Sequence, residues 1–189
     1  MGVLTAGVVI VGAVVALNLL LTFGVIRRLR EHTDLLADGA GASRRAPTMA
    51  GVGETVGPFA ATAVDGGVVS LDRFEGVTLV GVFSVGCGMC EEKLPLFVEH
   101  ARDFPGGRER VLAVVVASED GEAEAVRYVH TLSDTAVVVQ EPPRGPVSAA
   151  LGVTGYPAFG LVGAEGVVRA SALDPGGLPS QEAGIARST

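Results

Sequence analysis

Residues 84–97 read SVGCGMCEEKLPLF and contain Cys87 and Cys90, the two cysteines of a 189-residue chain. The apolar run VTLVGVF (77–83) comes directly before them and predicts a strand that is buried on both faces. A helical pattern of apolar residues follows and continues through Pro95. The stretch therefore predicts a strand, a short loop and a helix that begins around Cys87.

The segments on either side alternate between predicted strands and predicted helices. Upstream, the turn sequence DGG (65–67) separates two extended runs and predicts a hairpin. Downstream, strands are predicted in RVLAVVVAS and TAVVVQ, helices at 121–131 and 147–151, and a second hairpin in PAFGLV and GVVRAS. This order predicts an α/β sandwich with a mixed sheet over residues 57–174.

The position of the cysteine pair favours redox chemistry. Free backbone amides and the helix dipole at a helix N-terminus favour a negative charge, which makes Cys87 the predicted nucleophile. Cys90, one turn later, is expected to be more buried and to resolve the mixed disulfide that Cys87 forms with a partner's disulfide. Gly88 and Met89 form the loop between the cysteines. The chemistry requires no cofactor and no metal.

Other roles for the pair have less support in the sequence. A structural zinc site needs about four ligands, and the remaining candidates His32, His100 and His130 have no paired spacing. A copper carrier needs two thiolates and often a histidine, but His100 is nearly three turns beyond the pair. A disulfide across two residues closes a loop too small to stabilise the fold much. Redox exchange is favoured, and a copper chaperone or binding module remains the alternative.

The amino-terminal segment predicts a membrane anchor. Residues 2–26 carry no charge, and at about 1.5 Å per residue a helix of that length spans the hydrocarbon layer. A signal peptide needs a basic start and a small-residue cleavage site, whereas here Met1 is followed directly by apolar residues and Arg27 closes the run. Residues 1–26 are therefore predicted to form an uncleaved, single-pass transmembrane helix.

Composition also predicts the segments that join and follow the domain. Residues 27–56 are rich in Gly, Ala and Ser and predict a juxtamembrane linker, and residues 175–189 predict a flexible tail. The net charge is -7, and the chain has no Lys/Arg-rich run beyond the linker, so nucleic acid is not an expected partner. The expected partners are protein disulfides or dithiols, a protein that recycles the cysteine pair, and the membrane.

Several separated features carry a family resemblance. They are GPF (57–59), the hairpin around 65–67, the strand that leads into the cysteines, and LGVTGYPAFGLVGAEGVV (151–168). In these features the chain resembles membrane-anchored thioredoxin-like proteins of the TlpA and AhpC/TSA type. The anchor followed by arginines is similar in layout to the MauD branch, which is associated with methylamine utilisation. The resemblance implies a thioredoxin-like three-layer sandwich and a membrane-tethered thiol:disulfide oxidoreductase.

The resemblance also implies the residues that bind substrate. It implies that Pro157 is a cis-proline facing the cysteine pair. A cis bond would turn the backbone of Tyr156 toward an extended substrate, which can pair with it as an added strand. Tyr156 and Pro157 are therefore the expected substrate-binding residues.

The chain departs from the thioredoxin pattern at three positions. Gly86 stands where an aromatic residue usually precedes the first cysteine, and Met89 replaces the proline between the cysteines. Gly81 stands where thioredoxin has a buried acid. Glu91 and Glu92 are the nearest carboxylates in sequence, and both are expected to be solvated charges at the start of the helix.

A peroxidase is a weaker interpretation. Peroxiredoxins place a proline seven residues before the nucleophile and a threonine or serine three residues before it. Ser84 fits the second requirement, but Val80 does not fit the first.

Two features of the sequence indicate different compartments for the domain. The arginines after the predicted span, Arg27, Arg28 and Arg30, favour a cytoplasmic domain by the positive-inside rule. The family resemblance implies the extracytoplasmic face, where a dedicated disulfide reductase or oxidase has substrates. The expectation is a cell-membrane protein with an extracytoplasmic domain.

Overall fold

The computed structural model describes residues 48–179 of the chain. The predicted anchor (1–26), most of the predicted linker and the last residues of the predicted tail lie outside the described residues. Within the described part, no helix is long and apolar enough to cross a membrane.

A mixed five-stranded sheet forms the centre of the domain. Its strands are β3 (Thr78–Ser84), β4 (Val111–Val116), β5 (Val137–Glu141), β6 (Ala158–Val162) and β7 (Val168–Ala172), and a separate antiparallel hairpin consists of β1 (Ala60–Thr62) and β2 (Val68–Ser70). The order in the sheet is β5-β4-β3-β6-β7. β3, β4 and β5 are parallel, whereas β6 and β7 each run antiparallel to the preceding neighbour in the sheet. The prediction of an α/β fold with a mixed sheet and two hairpins is confirmed.

Among residues 48–179, three α-helices connect the strands. They are α1 (Gly88–Arg102), α2 (Glu122–Leu132) and α3 (Pro146–Ala150), and short 3-10 helices lie at Leu71–Arg73, Gly107–Arg110, Glu119–Gly121 and Pro175–Gly177. α1 is a single helix with Pro95 inside it. Each helix lies within a few residues of its predicted position.

Two hydrophobic cores cover the two faces of the sheet, because successive residues of a strand point to opposite faces. The helix-side core lies beneath α1 and α2 and includes Phe83, Cys90, Phe97, Tyr128 and Phe159. The hairpin-side core lies beneath α3, the hairpin and the segment before it, and includes Met49, Phe59, Val80, Val147 and Leu151. The domain therefore has three layers, with the sheet in the middle.

Gly81 on β3 makes room for an aromatic ring of the helix-side core. A Cβ atom at Gly81 would lie 2.5 Å from the ring of Phe97. That ring stacks on Phe159 with a centroid separation of 5.7 Å and meets Phe83 edge-on at 5.3 Å. The position at which thioredoxin has a buried acid is therefore filled by Phe97.

The packed domain begins before the predicted boundary at residue 57. Met49 and Val56, which lie within the predicted linker, are buried in the hairpin-side core. A Cβ atom at Gly160 on β6 would lie 2.7 Å from the sulfur of Met49, so the glycine lets this segment approach the sheet. The backbone N–H of Ala50 also donates to the carbonyl of Leu151 at 3.0 Å.

The packed domain also extends past the predicted boundary at residue 174. The carboxylate of Asp174 accepts hydrogen bonds from the backbone N–H of Gly176 at 3.0 Å and from Nζ of Lys93 on α1 at 2.7 Å. Leu178 is buried in the helix-side core. These contacts join the start of the predicted tail to α1.

Candidate redox site

The loop between β3 and α1 presents Cys87 at the amino end of the helix. Gly86 has a φ of 75°, a left-handed conformation that glycine adopts without steric cost. The backbone N–H of Cys87 donates to the carbonyl of Ser84 at 3.3 Å, which closes the loop. Cys87 is then the residue that caps α1, as the sequence predicts.

The sulfur of Cys87 lies between the helix and the loop that contains Pro157. It accepts a hydrogen bond from the backbone N–H of Cys90 at 3.3 Å. Its thiol donates to the carbonyl of Tyr156 at a sulfur–oxygen distance of 3.9 Å. Cys87 as a residue is partly exposed.

The sulfur of Cys90 is in a different environment. Cys90 is fully buried in the helix-side core and accepts a hydrogen bond from the backbone N–H of Ser84 at 3.5 Å. The pKa of the Cys90 thiol is raised to about 12, chiefly by burial and then by the neighbouring Cys87, while the hydrogen bond from the Ser84 amide acts in the opposite direction. Cys90 is therefore a neutral thiol at physiological pH.

The two predicted substrate-binding residues lie beside the cysteine pair. The Tyr156–Pro157 peptide bond is cis, as the family resemblance implies. The hydroxyl of Thr48 donates to the carbonyl of Pro157 at 3.0 Å, and the backbone carbonyl of Thr48 accepts from the N–H of Thr154 at 2.8 Å. Thr48 falls within the predicted linker, where no local pattern indicates a contact with residue 157.

Glu141 supports the segment that leads into this loop. Its buried carboxylate accepts hydrogen bonds from the backbone N–H groups of Val147 at 2.9 Å and Ser148 at 2.8 Å, and from the Ser148 hydroxyl at 2.5 Å. Burial raises the pKa of Tyr156, and the negative charge of Glu141 is the next cause. Glu141 therefore caps α3 and acts electrostatically on Tyr156.

Charged side chains form a solvated rim next to the pair. Arg127 on α2 contacts Glu91 at 3.0 Å and Glu124 at 3.3 Å, and Glu124 accepts from the backbone N–H of Gly86 at 3.4 Å. Glu91 and Glu92 are both exposed, so the expectation that they are solvated charges is confirmed.

The residues between the cysteines also face solvent. Gly88 and Met89 are exposed, and the Met89 residue retains 47% of its accessible surface. In the region 48–179, no three His, Cys, Asp or Glu side chains lie close enough together to hold a metal ion. His32 lies outside the described residues.

Comparison with known proteins places this geometry in context. The model of the Redoxin family matches residues 42–185. The thiol:disulfide interchange protein CycY of Rhizobium leguminosarum bv. viciae is 30% identical over 99 residues, which cover 52% of this chain. The match spans only half of the length of that relative.

Solved structures show the same fold. A thio-disulfide isomerase from Thermus thermophilus superposes with a TM-score of 0.52 at 20% identity, covering 72% of this chain and 94% of that one. The thioredoxin domain of a thiol-disulfide oxidoreductase from Bacteroides vulgatus superposes with a TM-score of 0.50 at 21% identity, covering 66% and 90%. The expected thioredoxin-like α/β fold is thus confirmed for the described domain.

Proposed function

Because this chain belongs to the Redoxin family, we propose that it is a thiol:disulfide oxidoreductase that exchanges disulfides with protein substrates through Cys87 and Cys90. One observation carries the proposal: the two sulfurs share the amino end of α1 but differ sharply in access. Cys87 is partly exposed, whereas Cys90 has no accessible surface. Relatives named as thiol:disulfide interchange proteins support the same class of activity.

The difference in access between the two sulfurs supports a proposed order for the steps. The Cys87 thiolate attacks one sulfur of a substrate disulfide, forms a mixed disulfide with it and releases the other substrate sulfur as a thiolate. Cys90 then loses its proton to water and attacks the Cys87 sulfur. This forms the Cys87–Cys90 disulfide and releases the second substrate thiolate. The protein loses two electrons and the substrate disulfide gains two, and the reverse sequence oxidises a substrate dithiol.

The loop at Tyr156 and Pro157 supplies the proposed substrate-binding surface. The Tyr156 carbonyl lies 3.9 Å from the Cys87 sulfur, so an extended substrate that pairs with this backbone would bring its disulfide to the nucleophile. The side chain of Tyr156 is half-buried, which leaves part of its ring available to contact the substrate.

Membrane attachment is part of the proposal. It is supported by the uncharged run at residues 2–26 and by the arginines that follow, a layout similar to the MauD branch. We propose a single-pass protein with its redox domain on the extracytoplasmic side, where disulfide exchange has substrates. A reporter fused to the carboxyl terminus tests the orientation. Reporter activity in the cytoplasm would show that the redox domain lies on the cytoplasmic side instead.

The first experiment is the reduction potential of the Cys87/Cys90 couple in the full-length chain in detergent, equilibrated against thiol–disulfide buffers. A reversible two-electron couple is expected. A potential below about -250 mV indicates a reductant, and one above about -180 mV indicates an oxidant or isomerase.

Matched single-cysteine variants separate the two roles. Cys90→Ala is expected to accumulate a mixed disulfide at Cys87, and Cys87→Ala is expected to form none at residue 90. If no reversible couple is found and the chain retains a copper ion tightly, the protein is a metal carrier and not an oxidoreductase.

A further inference from the structure

A cavity lies at the end of the sheet that is opposite to the cysteine pair. Its volume is about 540 Å³, within the usual range of ligand pockets, about 300–1,000 Å³. Thr78, Val111 and Val137, the first residues of the parallel strands β3, β4 and β5, line it. Cys87 instead follows the other end of β3, and a strand of this length spans about 20 Å. The cavity is therefore separate from the redox site, and the proposed mechanism does not use it.

The free edge of β2 forms part of the cavity wall, because every residue of this strand lines the cavity. At the turn of the hairpin, the backbone N–H of Ala63 donates to the carbonyl of Gly67 at 2.7 Å. Hydrogen-bonded pairs recur at every second residue of an antiparallel ladder, so Val69 bonds to β1 whereas Val68 and Ser70 point the other way. The N–H groups of Val68 and Ser70 have no acceptor among residues 48–179. Such an edge is a template for one more strand.

Arg73 places a positive charge at this edge. Its guanidinium donates to the carbonyl of Val68 at 3.3 Å, which holds the group beside β2. The two carboxylates that line the cavity, those of Asp65 and Glu109, contact Arg108 instead, at 2.6 and 3.6 Å. Within the described part of the chain, no carboxylate forms an ion pair with Arg73. A ligand that carries a carboxylate would supply the missing partner.

Several of the other lining residues are apolar. They are Phe74, Val111, Leu112 and Val137. Successive side chains of an extended strand point to opposite faces, so a strand with an apolar residue at every second position presents one apolar face. An extended segment in which apolar and acidic residues alternate therefore complements both the apolar and the charged parts of the lining.

We propose that this cavity binds an extended segment of a partner protein, in which apolar and acidic residues alternate, as a third strand along β2. Carbonyl groups of the segment accept hydrogen bonds from the N–H groups of Val68 and Ser70, and one carboxylate pairs with Arg73. This is strand addition at a sheet edge, in which the backbone contributes affinity and the side chains contribute specificity. The site lies at the other end of the sheet from Cys87, and it is independent of the proposed redox function.

Binding is measured by fluorescence anisotropy with the full-length chain in detergent. The probe is a dye-labelled peptide in which valine and glutamate alternate, with both ends blocked and with no cysteine, so that it cannot react with Cys87. A second peptide with lysine in place of glutamate tests the charge. A third, with N-methylated backbone nitrogens, cannot pair as a strand.

Two proline variants test the edge itself. Val68→Pro removes one outward N–H and keeps the ladder with β1, because proline is tolerated where a strand N–H faces away from its sheet. Thr62→Pro is the matched control. Thr62 lies opposite Val68 in the register, and its N–H points away from the hairpin on the far side of β1.

The glutamate peptide is expected to bind more tightly than the other two peptides. Val68→Pro should weaken its binding at least about fivefold, the loss expected for one hydrogen bond, and Thr62→Pro should leave it unchanged. Arg73→Gln should weaken binding about threefold at low salt and less at high salt, as expected for an exposed ion pair. Arg169→Gln, which removes an exposed arginine that pairs with Glu165 outside the cavity, should have no effect. The reduction potential of the cysteine couple should be the same in all four variants.

Several results would overturn the inference. One is equal binding of the glutamate peptide and its N-methylated form, and another is equal binding by the wild type and Val68→Pro. No binding by a wild-type chain with a normal redox couple would also overturn it. A dimer that Val68→Pro abolishes would show that a second copy of the chain covers this edge instead. Peptide binding by a chain with no reversible couple would refute the proposed function and leave this inference standing.

Discussion

The hydroxyl of Thr48 donates a hydrogen bond to the carbonyl of Pro157 at 3.0 Å, across 109 positions of the chain. The backbone carbonyl of Thr48 accepts from Thr154 on the other side of Tyr156 at 2.8 Å. Thr48 therefore holds the candidate substrate-binding loop from both sides. Because Thr48 lies within the predicted linker, the segment that would lead to the membrane is also the segment that braces this loop.

Thr48→Val is predicted to weaken substrate binding without changing the chemistry at Cys87. Valine has nearly the same shape but lacks the hydroxyl, so the Pro157 carbonyl loses its donor while the contact to Thr154 remains. A typical hydrogen bond contributes about 1 kcal/mol, which corresponds to a rise in KM of about fivefold for a protein disulfide substrate. The alkylation rate of Cys87 should be unchanged.

Two variants control this measurement. Thr48→Ser keeps the hydroxyl and should restore KM. Thr131→Val removes an exposed hydroxyl that bonds within its own helix, to the carbonyl of Arg127, and should leave KM alone. Equal KM values for Thr48→Val and the wild type would show that the brace has no role in binding.

Gly81→Ala is predicted to destabilise the domain by about 1–3 kcal/mol, the usual cost of overpacking a core. The added Cβ would lie 2.5 Å from the ring of Phe97, which Phe83 and Phe159 hold in place. Denaturant unfolding of the full-length chain measures the loss.

Gly88→Ala is the matched control, because a Cβ at Gly88 would meet no atom within 4 Å. Its stability should stay within about 0.5 kcal/mol of the wild type. In a chain that already carries Phe97→Leu, Gly81→Ala should lower the free energy of unfolding much less than it does in the wild type. If the alanine costs the same with and without the ring, the contact with Phe97 is not the cause.

Much of the fold follows from local sequence patterns. The nearly continuous apolar run at 77–83 specifies a buried strand, and the DGG sequence at 65–67 specifies the turn of the first hairpin. The redox role predicted for the cysteine pair follows from its place between that strand and a helix. These features depend on neighbouring residues, and the sequence is therefore enough to predict them.

The remaining features depend on contacts between distant parts of the chain. Met49 packs against the space left by Gly160, and Leu178 packs beneath α1, although both lie in segments whose composition suggests loops. Both domain boundaries and the supporting residues of the site therefore required the structure.

Glu141→Gln is predicted to destabilise the domain by about 2–3 kcal/mol. The two carboxylate oxygens accept from the backbone N–H groups of Val147 and Ser148. An amide can present one oxygen, so its NH₂ group would face the other N–H donor. Ser148→Ala removes only the hydroxyl contact and should cost about 1 kcal/mol. Thermal unfolding of both variants gives the comparison, and equal losses would contradict this account of the carboxylate.

The raised pKa of Cys90 predicts how its reactivity depends on pH. In Cys87→Ala, Cys90 is the one thiol in the chain. An ordinary thiol with a pKa of 9.0 is about one-tenth ionised at pH 8, whereas a thiol with a pKa of about 12 is ionised to about one part in ten thousand. Cys87→Ala removes the contribution of Cys87 to this shift but keeps burial, its largest cause, so alkylation of the folded variant at pH 8 should still be much slower than in denaturant.

The same shift sets the direction in which stability changes with pH. Because the folded-state pKa lies above the ordinary value, the unfolded thiol ionises first as the pH rises. The contribution of Cys90 to stability is fully present below about pH 9 and is lost as the pH rises from there toward about 12. Cys87→Ala should therefore lose stability in this window relative to Cys87→Ala/Cys90→Ala, which has no thiol. An alkylation rate that levels off near pH 9, with parallel stability curves for the two variants, would show that the folded domain does not suppress ionisation of Cys90.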